Sequence, residues 1–457
     1  MSVGGCAVQS PEGAFQDVQS VTADRGGSPL HWNRGGPEDA AVTAKVRELV
    51  ARELTADTAV QVALLNNRGL QATYQELGVA QADVVRAALP RNPVFDAEIR
   101  VFSRGSTGME VGLVQDFLDT LLIPLRKSLA TTAFEGAKLR VAGEVIDLAV
   151  EVRRAFISFQ GAGQALELRR TVLRAAEASA DLARRLRRAG NLTEGNRAVE
   201  QLFFEEARLN VAAAEEVALV ARERLTGLLG LWGSDTEWRA APRLTDPPAE
   251  ETALEGLEKV AVGRSLDLAA ARNDIVLFAQ QLGVARPLAI FPEAGLGGSG
   301  EREPEGQWGF GPAVVISVPL FDWGQASVAA ARARLGAARE RYAALAVDIR
   351  SQVRAARARL LSARRRAEHY RKVVLPLRDL VVSETQKQYN AMLVGAFQLL
   401  QAKEQEVESA GRYVETLKDY WLARAGLEQL LNGRRPMVEM PEPGSAAAAR
   451  RNEGGNH

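Results

Sequence analysis

Most of the chain has the 3.6-residue hydrophobic period of α-helices. This pattern predicts a helix from the capping residue Thr55 to about Ala88. From Pro124 the same period continues for about 65 residues to a break at Gly190, and a further helix extends to about Gly230. A helix of that length would be on the order of 100 Å long. It therefore needs a neighbouring helix along its whole length.

Between the first two helical stretches the period changes from 3.6 to two. Apolar and charged residues alternate on both sides of a Gly/Ser-rich turn at 103–106, which is typical of a β-hairpin. Each arm has about ten residues, the length that a tilted strand needs to cross a bilayer. The alternating apolar positions are Phe95, Ala97, Ile99 and Val101, then Met109, Val111 and Leu113.

The second half of the chain repeats this order. A helix around 266–283 leads into a short apolar segment at 288–291 and a Gly-rich stretch at 295–300, and alternation returns at 308–318. A second very long helix is predicted over 321–431, with a break near Met392–Gly395.

Four short matches between the halves support an internal duplication, because they occur in the same order and at an offset near 200. They pair 77–81 with 282–286, 123–125 with 318–320, 148–153 with 345–350 and 228–230 with 430–432. The predicted organisation is an extended or disordered arm at 1–53, a first repeat at 54–230, a linker at 231–252, a second repeat at 253–433 and a disordered tail at 434–457.

Two hairpins supply four strands per chain, and four strands leave open edges. Unpaired backbone groups at such edges cannot face lipid, and the smallest membrane barrels have about eight strands. A chain of this design must therefore share its sheet with further copies. The fold class predicted is mainly α with a small β part, in which a long α-helical barrel continues into a transmembrane β-barrel.

Charge and composition exclude several classes of protein. Lys plus Arg and Asp plus Glu each number 57, which disfavours a nucleic-acid partner because such proteins need a basic excess. One cysteine and three histidines are too few for a Cys/His metal cage or a Ser-His-Asp triad. We therefore expect no enzyme activity, no cofactor and no metal site. No run of about 18 apolar residues exists, so no transmembrane helix is predicted.

The Gly-rich stretch 295–300 has the spacing GxGxxG of dinucleotide-binding loops. Such a loop needs a helix directly after it, whereas the acidic, helix-breaking segment 301–306 follows. We interpret 295–300 as a hairpin turn between strands.

Cys6 follows Val3-Gly4-Gly5, which is similar to the end of a bacterial lipobox. Lipidation of Cys6 is one interpretation, although no basic and apolar leader precedes it in the sequence as written. The other interpretation is an incidental cysteine in an unstructured terminus.

Several stretches of 54–433 resemble the TolC-like outer-membrane efflux family. The most specific is Val318–Gly324, which resembles the strand-to-helix junction PLFDxG of that family. The opening helix (54–67), the two helix-hairpin tips and the closing helix (419–431) resemble their family counterparts as well.

The resemblance implies a homotrimer in the outer membrane of a Gram-negative bacterium. It implies a passive duct for small molecules or metal ions within a tripartite efflux or type I secretion system. Its partners would be outer-membrane lipid, a periplasmic adaptor and an inner-membrane pump of the RND or ABC type. Many relatives are lipoproteins, in agreement with the lipobox interpretation of Cys6.

The resemblance also implies sites. Adaptor docking would fall on the two hairpin tips, and a pore constriction on two positions just past the second tip. The family usually has Gly where this chain has Met392, so a reshaped turn is expected there. The constriction often carries acids, whereas this chain would have a neutral, hydrogen-bonded one. The tip residues are Gly190, Asn191, Leu192, Thr193, Met392, Leu393, Val394 and Gly395, and the constriction residues are Gln398 and Gln401.

A soluble coiled-coil scaffold without a pore is the alternative. It would explain the long helices, but it leaves the two amphipathic hairpins at matched places unexplained. A scaffold should be purified without detergent, whereas a membrane duct should need one.

Overall fold

The computed structural model describes residues 10–101, 107–251, 255–290, 294–303, 306–317, 321 and 323–436. Cys6, the junction residues 318–320 and 322, and the tail from 437 onwards lie outside the described residues.

The described part of the chain is mainly helical, with a four-stranded sheet and a small two-stranded one. The first half contains α1 (Pro11–Ala23), α2 (Pro37–Ala51), β1 (Glu53–Leu54), α3 (Ala56–Asn66), α4 (Arg68–Ala88), β2 (Val94–Val101), β3 (Thr107–Asp116), α5 (Phe117–Leu121), α6 (Ile123–Arg188) and α7 (Glu194–Leu228). A 3₁₀ turn (Gly233–Thr236) and β4 (Arg239–Ala240) follow. The second half contains α8 (Leu257–Arg264), α9 (Leu266–Ile290), β5 (Ala294–Arg302), β6 (Trp308–Ile316), α10 (Gln325–His369), a π-helical turn (Tyr370–Val374), α11 (Leu375–Asn390) and α12 (Ala396–Leu431). The predicted fold class and the duplicated order of elements are confirmed.

α6 is the central element of the helical part, with 66 residues, or roughly 100 Å. It packs against α4 and α7 of the first half and against α9 and α12 of the second half. α10 packs against α9 and α12. No described helix has both the length and the apolar character needed to cross a membrane.

The four-stranded sheet joins the two hairpins in the order β2-β3-β5-β6, with all neighbours antiparallel. Both predicted hairpins are therefore present. The second hairpin does not begin at 288, however, because α9 remains helical to Ile290. Its first strand is β5.

The Gly-rich stretch 295–300 lies within β5, so its interpretation as a turn was wrong. A Cβ at Gly297 would lie 2.1 Å from the carbonyl oxygen of Leu113 on β3, and one at Gly300 would lie 2.8 Å from the Phe310 ring on β6. Glycine is needed there because neighbouring backbone and side chains approach closely.

The N-terminal arm predicted over 1–53 was also wrong in its described part, because α1 and α2 are helices. Ser10 caps α1, accepting a hydrogen bond from the Gly13 N–H at 3.2 Å. Phe15 of α1 packs edge-on against Tyr74 of α4, with ring centroids 5.0 Å apart. The polar composition of the arm did not predict these helices, because they are held by tertiary contacts such as this one.

The helix predicted from Thr55 to Ala88 is two helices that meet at Asn66 and Asn67. Thr55 caps α3 as predicted, accepting from the Thr58 N–H. Asn67 caps α4 by accepting from the Leu70 N–H at 2.9 Å. The side-chain amides of both asparagines donate to carbonyls at the end of α7, on Leu228, Leu229 and Gly230. The break therefore satisfies helix-end carbonyls that would otherwise lack partners.

Candidate functional site

The first hairpin tip joins α6 to α7 in a tight turn. The Gly190 N–H donates to the Arg187 carbonyl at 3.0 Å, and the Asn191 N–H donates to the Leu186 carbonyl at 2.9 Å. These two bonds are a Schellman motif, which needs a left-handed residue directly after the helix. Gly190 supplies it, with φ +78°. Thr193 then caps α7, accepting from the Asn196 N–H at 3.3 Å.

The second tip joins α11 to α12 with the same hydrogen bonds. The Met392 N–H donates to the Tyr389 carbonyl, and the Leu393 N–H donates to the Gln388 carbonyl, both at 2.9 Å. Met392 takes the left-handed position, with φ +59°. The expectation of a reshaped turn was wrong, since the turn keeps its geometry with a residue that rarely adopts it.

Three further described helix ends, those of α1, α7 and α12, carry this motif. After α1, the Gly26 N–H donates to the Ala23 carbonyl at 2.9 Å and the Gly27 N–H donates to the Thr22 carbonyl at 3.0 Å, with Gly26 at φ +74°. α7 ends at Gly230 (φ +67°) and α12 ends at Gly433 (φ +93°), each with the corresponding pair of backbone bonds. Gly230 of the first half therefore corresponds to Gly433, one residue beyond the position that the sequence match indicated. Of these five ends, only that at Met392 lacks glycine.

Both tips lie at the same end of the molecule. Ser179 of α6 donates a hydrogen bond to Glu200 of α7. Leu400 and Glu404 of α12 line one small cavity together with Phe203 of α7. Each of Ser179, Glu200 and Glu404 is within about ten residues of its tip, roughly 15 Å along the helix. The two turns are therefore at similar heights.

The two tips differ in surface chemistry. Residues 181–197 around the first tip contain five arginines and two carboxylates. Some of these charges pair locally, such as Arg185 with Asp181 at 2.8 Å and Arg187 with Glu194 at 3.2 Å. At the second tip the exposed side chains are apolar: Met392 is 93% exposed and Leu393 is 75% exposed.

The two predicted constriction residues lie on the first turns of α12. The Gln398 Oε1 accepts a hydrogen bond from the Gly395 N–H at 3.0 Å, so this side chain caps the helix. Gln401 follows three residues later on the same face and is exposed. The capping bond of Gln398 was not anticipated, although a Gln at the third position of a helix is a known capping signal.

Sequence reasoning missed the role of the linker residues Asp246 and Glu251. Asp246 accepts hydrogen bonds from Arg371, at 2.8 Å, and from the Tyr413 hydroxyl. Glu251 accepts from the Tyr420 hydroxyl at 2.6 Å. Burial and this bond to Glu251 raise the pKa of Tyr420 to about 12. The linker is therefore tied to α12 and to the π-helical turn, through contacts that leave no periodic signal in the sequence.

The π-helical turn has its physical cause in Pro376. Proline has no N–H, and in a regular α-helix its ring would clash with the carbonyl of Lys372, four residues earlier. The helix widens instead, and the Leu375 N–H donates to the carbonyl of Tyr370.

Among the described residues, no group of three or more His, Cys, Asp or Glu side chains is placed to hold a metal ion. The expected lipidation site, Cys6, lies outside the described residues.

Comparison with known proteins gives consistent likenesses. No protein-family model matches the chain. A curated relative, outer membrane protein OprJ of Pseudomonas aeruginosa, is 28% identical over 318 residues, which are 62% of this chain and 64% of OprJ. The match thus spans less than two thirds of that relative's length.

Solved structures extend the likeness over most of the chain. A membrane protein from Pseudomonas aeruginosa is 20% identical, with a TM-score of 0.66 over 88% of this chain and 99% of that one. The outer membrane channel CmeC of Campylobacter jejuni is 13% identical, with a TM-score of 0.69 over 87% of this chain and 89% of that one. These likenesses agree with the resemblance to the TolC-like outer-membrane efflux family noted in the sequence, and they show that the chain shares the fold of these solved membrane-protein structures.

Proposed function

We propose that this chain is one subunit of a homotrimeric efflux duct in the outer membrane of a Gram-negative bacterium. The duct would conduct small molecules or metal ions passively from the periplasm to the outside. Its partners would be a periplasmic adaptor and an inner-membrane pump, of the RND or the ABC type.

The observation that carries this proposal is the pair of open edges on the four-stranded sheet. Within the described residues, β2 and β6 each pair with a strand on one side only. Pairing β2 of one copy with β6 of the next would satisfy both edges, and a closed ring of copies would leave no edge facing lipid.

Apolar side chains on the edge strands support a lipid-facing surface. On β2, Phe95, Ile99 and Val101 are each at least 67% exposed and share one face, since strand side chains alternate. On β6, Phe310 is 80% exposed, and Val314 and Ile316 are exposed as well. An exposed apolar band of this kind needs a lipid or protein partner.

Two helices carry apolar residues that nothing in the described chain covers, which supports self-assembly of the helical part. α7 packs mainly on α6 and leaves large apolar residues exposed on its other side. α11 packs on α12, and together with the preceding π-helical turn it also leaves large apolar residues exposed. Pairing these two surfaces between neighbouring copies would bury both and continue around a ring. The residues are Val199, Leu202, Leu209 and Val220, and Val373, Leu377, Leu380 and Val381.

Conductance tests this proposal. The purified protein, reconstituted into planar bilayers, should form ion-conducting channels, and the detergent-solubilised protein should have the mass of a trimer. Phe95→Arg with Ile99→Arg should prevent insertion, because charge on a lipid-facing strand is unfavourable by about 2–4 kcal/mol per residue. Glu98→Gln, on the other face of β2, is the matched control and should conduct normally.

A water-soluble, non-conducting monomer would overturn the proposal. So would equal conductance in the native protein and in the double-arginine variant.

A further inference from the structure

Met392 occupies a backbone conformation that its side chain disfavours. It is the one non-glycine residue with positive φ among the described residues, at +59°. An L side chain in the left-handed region brings its Cβ close to the following carbonyl oxygen. The same turn is made with glycine at Gly190, Gly230 and Gly433, so its geometry does not require methionine.

Among the described residues, no contact compensates for the unfavourable conformation of Met392. The Met392 side chain is 93% exposed, so it buries almost nothing. Leu393 follows in the position that usually packs back on the helix in this motif, yet it is 75% exposed. At the same position of the Schellman motif that ends α7, Leu231 is only 8% exposed. The second tip therefore presents two apolar side chains without a partner in the described structure.

The charge of the first hairpin tip determines which charge a partner surface should carry. This tip lies at the same end of the molecule and carries an excess of arginine, with five arginines against two carboxylates over 181–197. A matching surface would place carboxylates around an apolar patch. A second copy approaching tip to tip would meet the same positive charge, so it fits poorly.

We propose that Met392 and Leu393 are the apolar anchor for a partner protein whose docking surface is an apolar patch bordered by carboxylates. This inference rests on the proposed tip docking and assigns its chemistry: the second tip supplies apolar contact, and the first tip supplies positive charge. The left-handed Met392 is retained because its exposed side chain binds the partner, at the expense of local stability in its own turn.

The test uses the full-length protein in detergent and a helical hairpin peptide as probe. The probe's turn carries two leucines flanked by glutamates, and a matched peptide carries lysines in place of the glutamates. Surface plasmon resonance measures binding, and hydrogen–deuterium exchange measures the stability of the turn. The variants are Met392→Gly, which removes strain and side chain together, and Met392→Leu, which keeps both. Gly190→Met is the control, since it adds strain at the first tip.

The native protein should bind the acidic probe and not the basic one. Met392→Gly should weaken binding by about tenfold and slow amide exchange at 390–394 by about fivefold. Met392→Leu should behave like the native protein. Gly190→Met should speed exchange at the first tip without strengthening binding.

The proposal is overturned if Met392→Gly binds as tightly as the native protein, if its turn is no more stable, or if the two probes bind equally. The channel proposal fails separately, through the absence of conductance, so the two failures are distinguishable.

Discussion

Arg434 and Asp147 form an ion pair that joins the segment after α12 to α6, so the tail predicted as disordered from 434 onwards is ordered at Arg434. The Arg434 Nε donates to the Asp147 Oδ2 at 3.0 Å, and the same guanidinium also pairs with Asp267 of α9. The two side chains of the first pair are only 16% and 9% exposed. Gly143 leaves room for this arrangement, since a Cβ there would lie 2.9 Å from the guanidinium carbon.

We predict that Arg434→Ala destabilises the protein strongly. It would leave Asp147 largely buried without its cation, while Asp267 would keep only Arg435, at 3.6 Å. Breaking a buried pair in this way costs about 3–5 kcal/mol. The measurement is the midpoint of guanidinium chloride unfolding in detergent. Arg412→Ala is the control, because its pair with Glu408 is exposed and such pairs contribute about 0–1 kcal/mol. Equal shifts in the two variants would contradict the prediction.

The sequence predicted those elements whose signal is local and long. α6 was expected from Pro124 to Ala189 and extends over Ile123–Arg188, because its period is uninterrupted and glycine follows it. The hairpins were recognisable since apolar and charged residues alternate strictly along β2. Both tips were predicted at the places where the hydrophobic period of a long helix is interrupted.

Other features depend on tertiary contacts that no local pattern records. α1 is held by the contact between Phe15 and Tyr74, about sixty residues apart in the sequence. The linker is held by hydrogen bonds from Tyr413 and Tyr420 to single carboxylates. Likewise, the left-handed backbone of Met392 follows from the turn that its neighbours form, and the side chain itself gives no indication of it.

Glu404 gives a prediction for pH dependence near the tips. Burial and the carboxylates of Glu408 and Glu200 raise its pKa above the usual 4.5. The folded protein therefore favours the protonated form of Glu404. Its contribution to the free energy of unfolding is complete below pH 4.5 and is lost as the pH rises through its folded pKa. Glu404→Gln should raise the melting temperature relative to the native protein at about pH 7 and have less effect at about pH 4.

Glu368 is the matched control, because its pKa is shifted in the opposite direction. The hydrogen bond from Arg364, at 2.9 Å, lowers the pKa of Glu368. Its contribution is present above its usual pKa of 4.5 and is lost as the pH falls through the folded value. Glu368→Gln should therefore lower the melting temperature at about pH 7 and less so in acid. Parallel pH profiles for the two variants would show that the assignment is wrong.

The proposed docking role of the tips gives a third prediction. Leu192→Glu with Val394→Glu places a carboxylate on each tip, which would disturb apolar contact with an adaptor. The exposed apolar residues of α7 and α11, proposed to pair between copies, would stay unchanged. Efflux should be lost, measured as drug or metal tolerance of cells, and the trimer should persist in native mass spectrometry. Gln386→Glu adds a charge to α11 near the tip without removing an apolar side chain, and it should retain efflux. Normal tolerance in the double variant would reject tip docking.

The predicted constriction residues Gln398 and Gln401 give the fourth prediction, which concerns ion binding. Gln398→Asp with Gln401→Asp would add two carboxylates per subunit on one face of α12, where copies around the axis would bring them together. An acid near the N-terminus of a helix is favourable, so the first turn should tolerate the loss of the Gln398 capping bond. Multivalent cations should then block single-channel currents at lower concentrations than in the native protein. Gln386→Asp with Gln388→Asp adds the same charge to α11 and should leave block unchanged. If block in the α12 variant is also unchanged, Gln398 and Gln401 do not line the constriction.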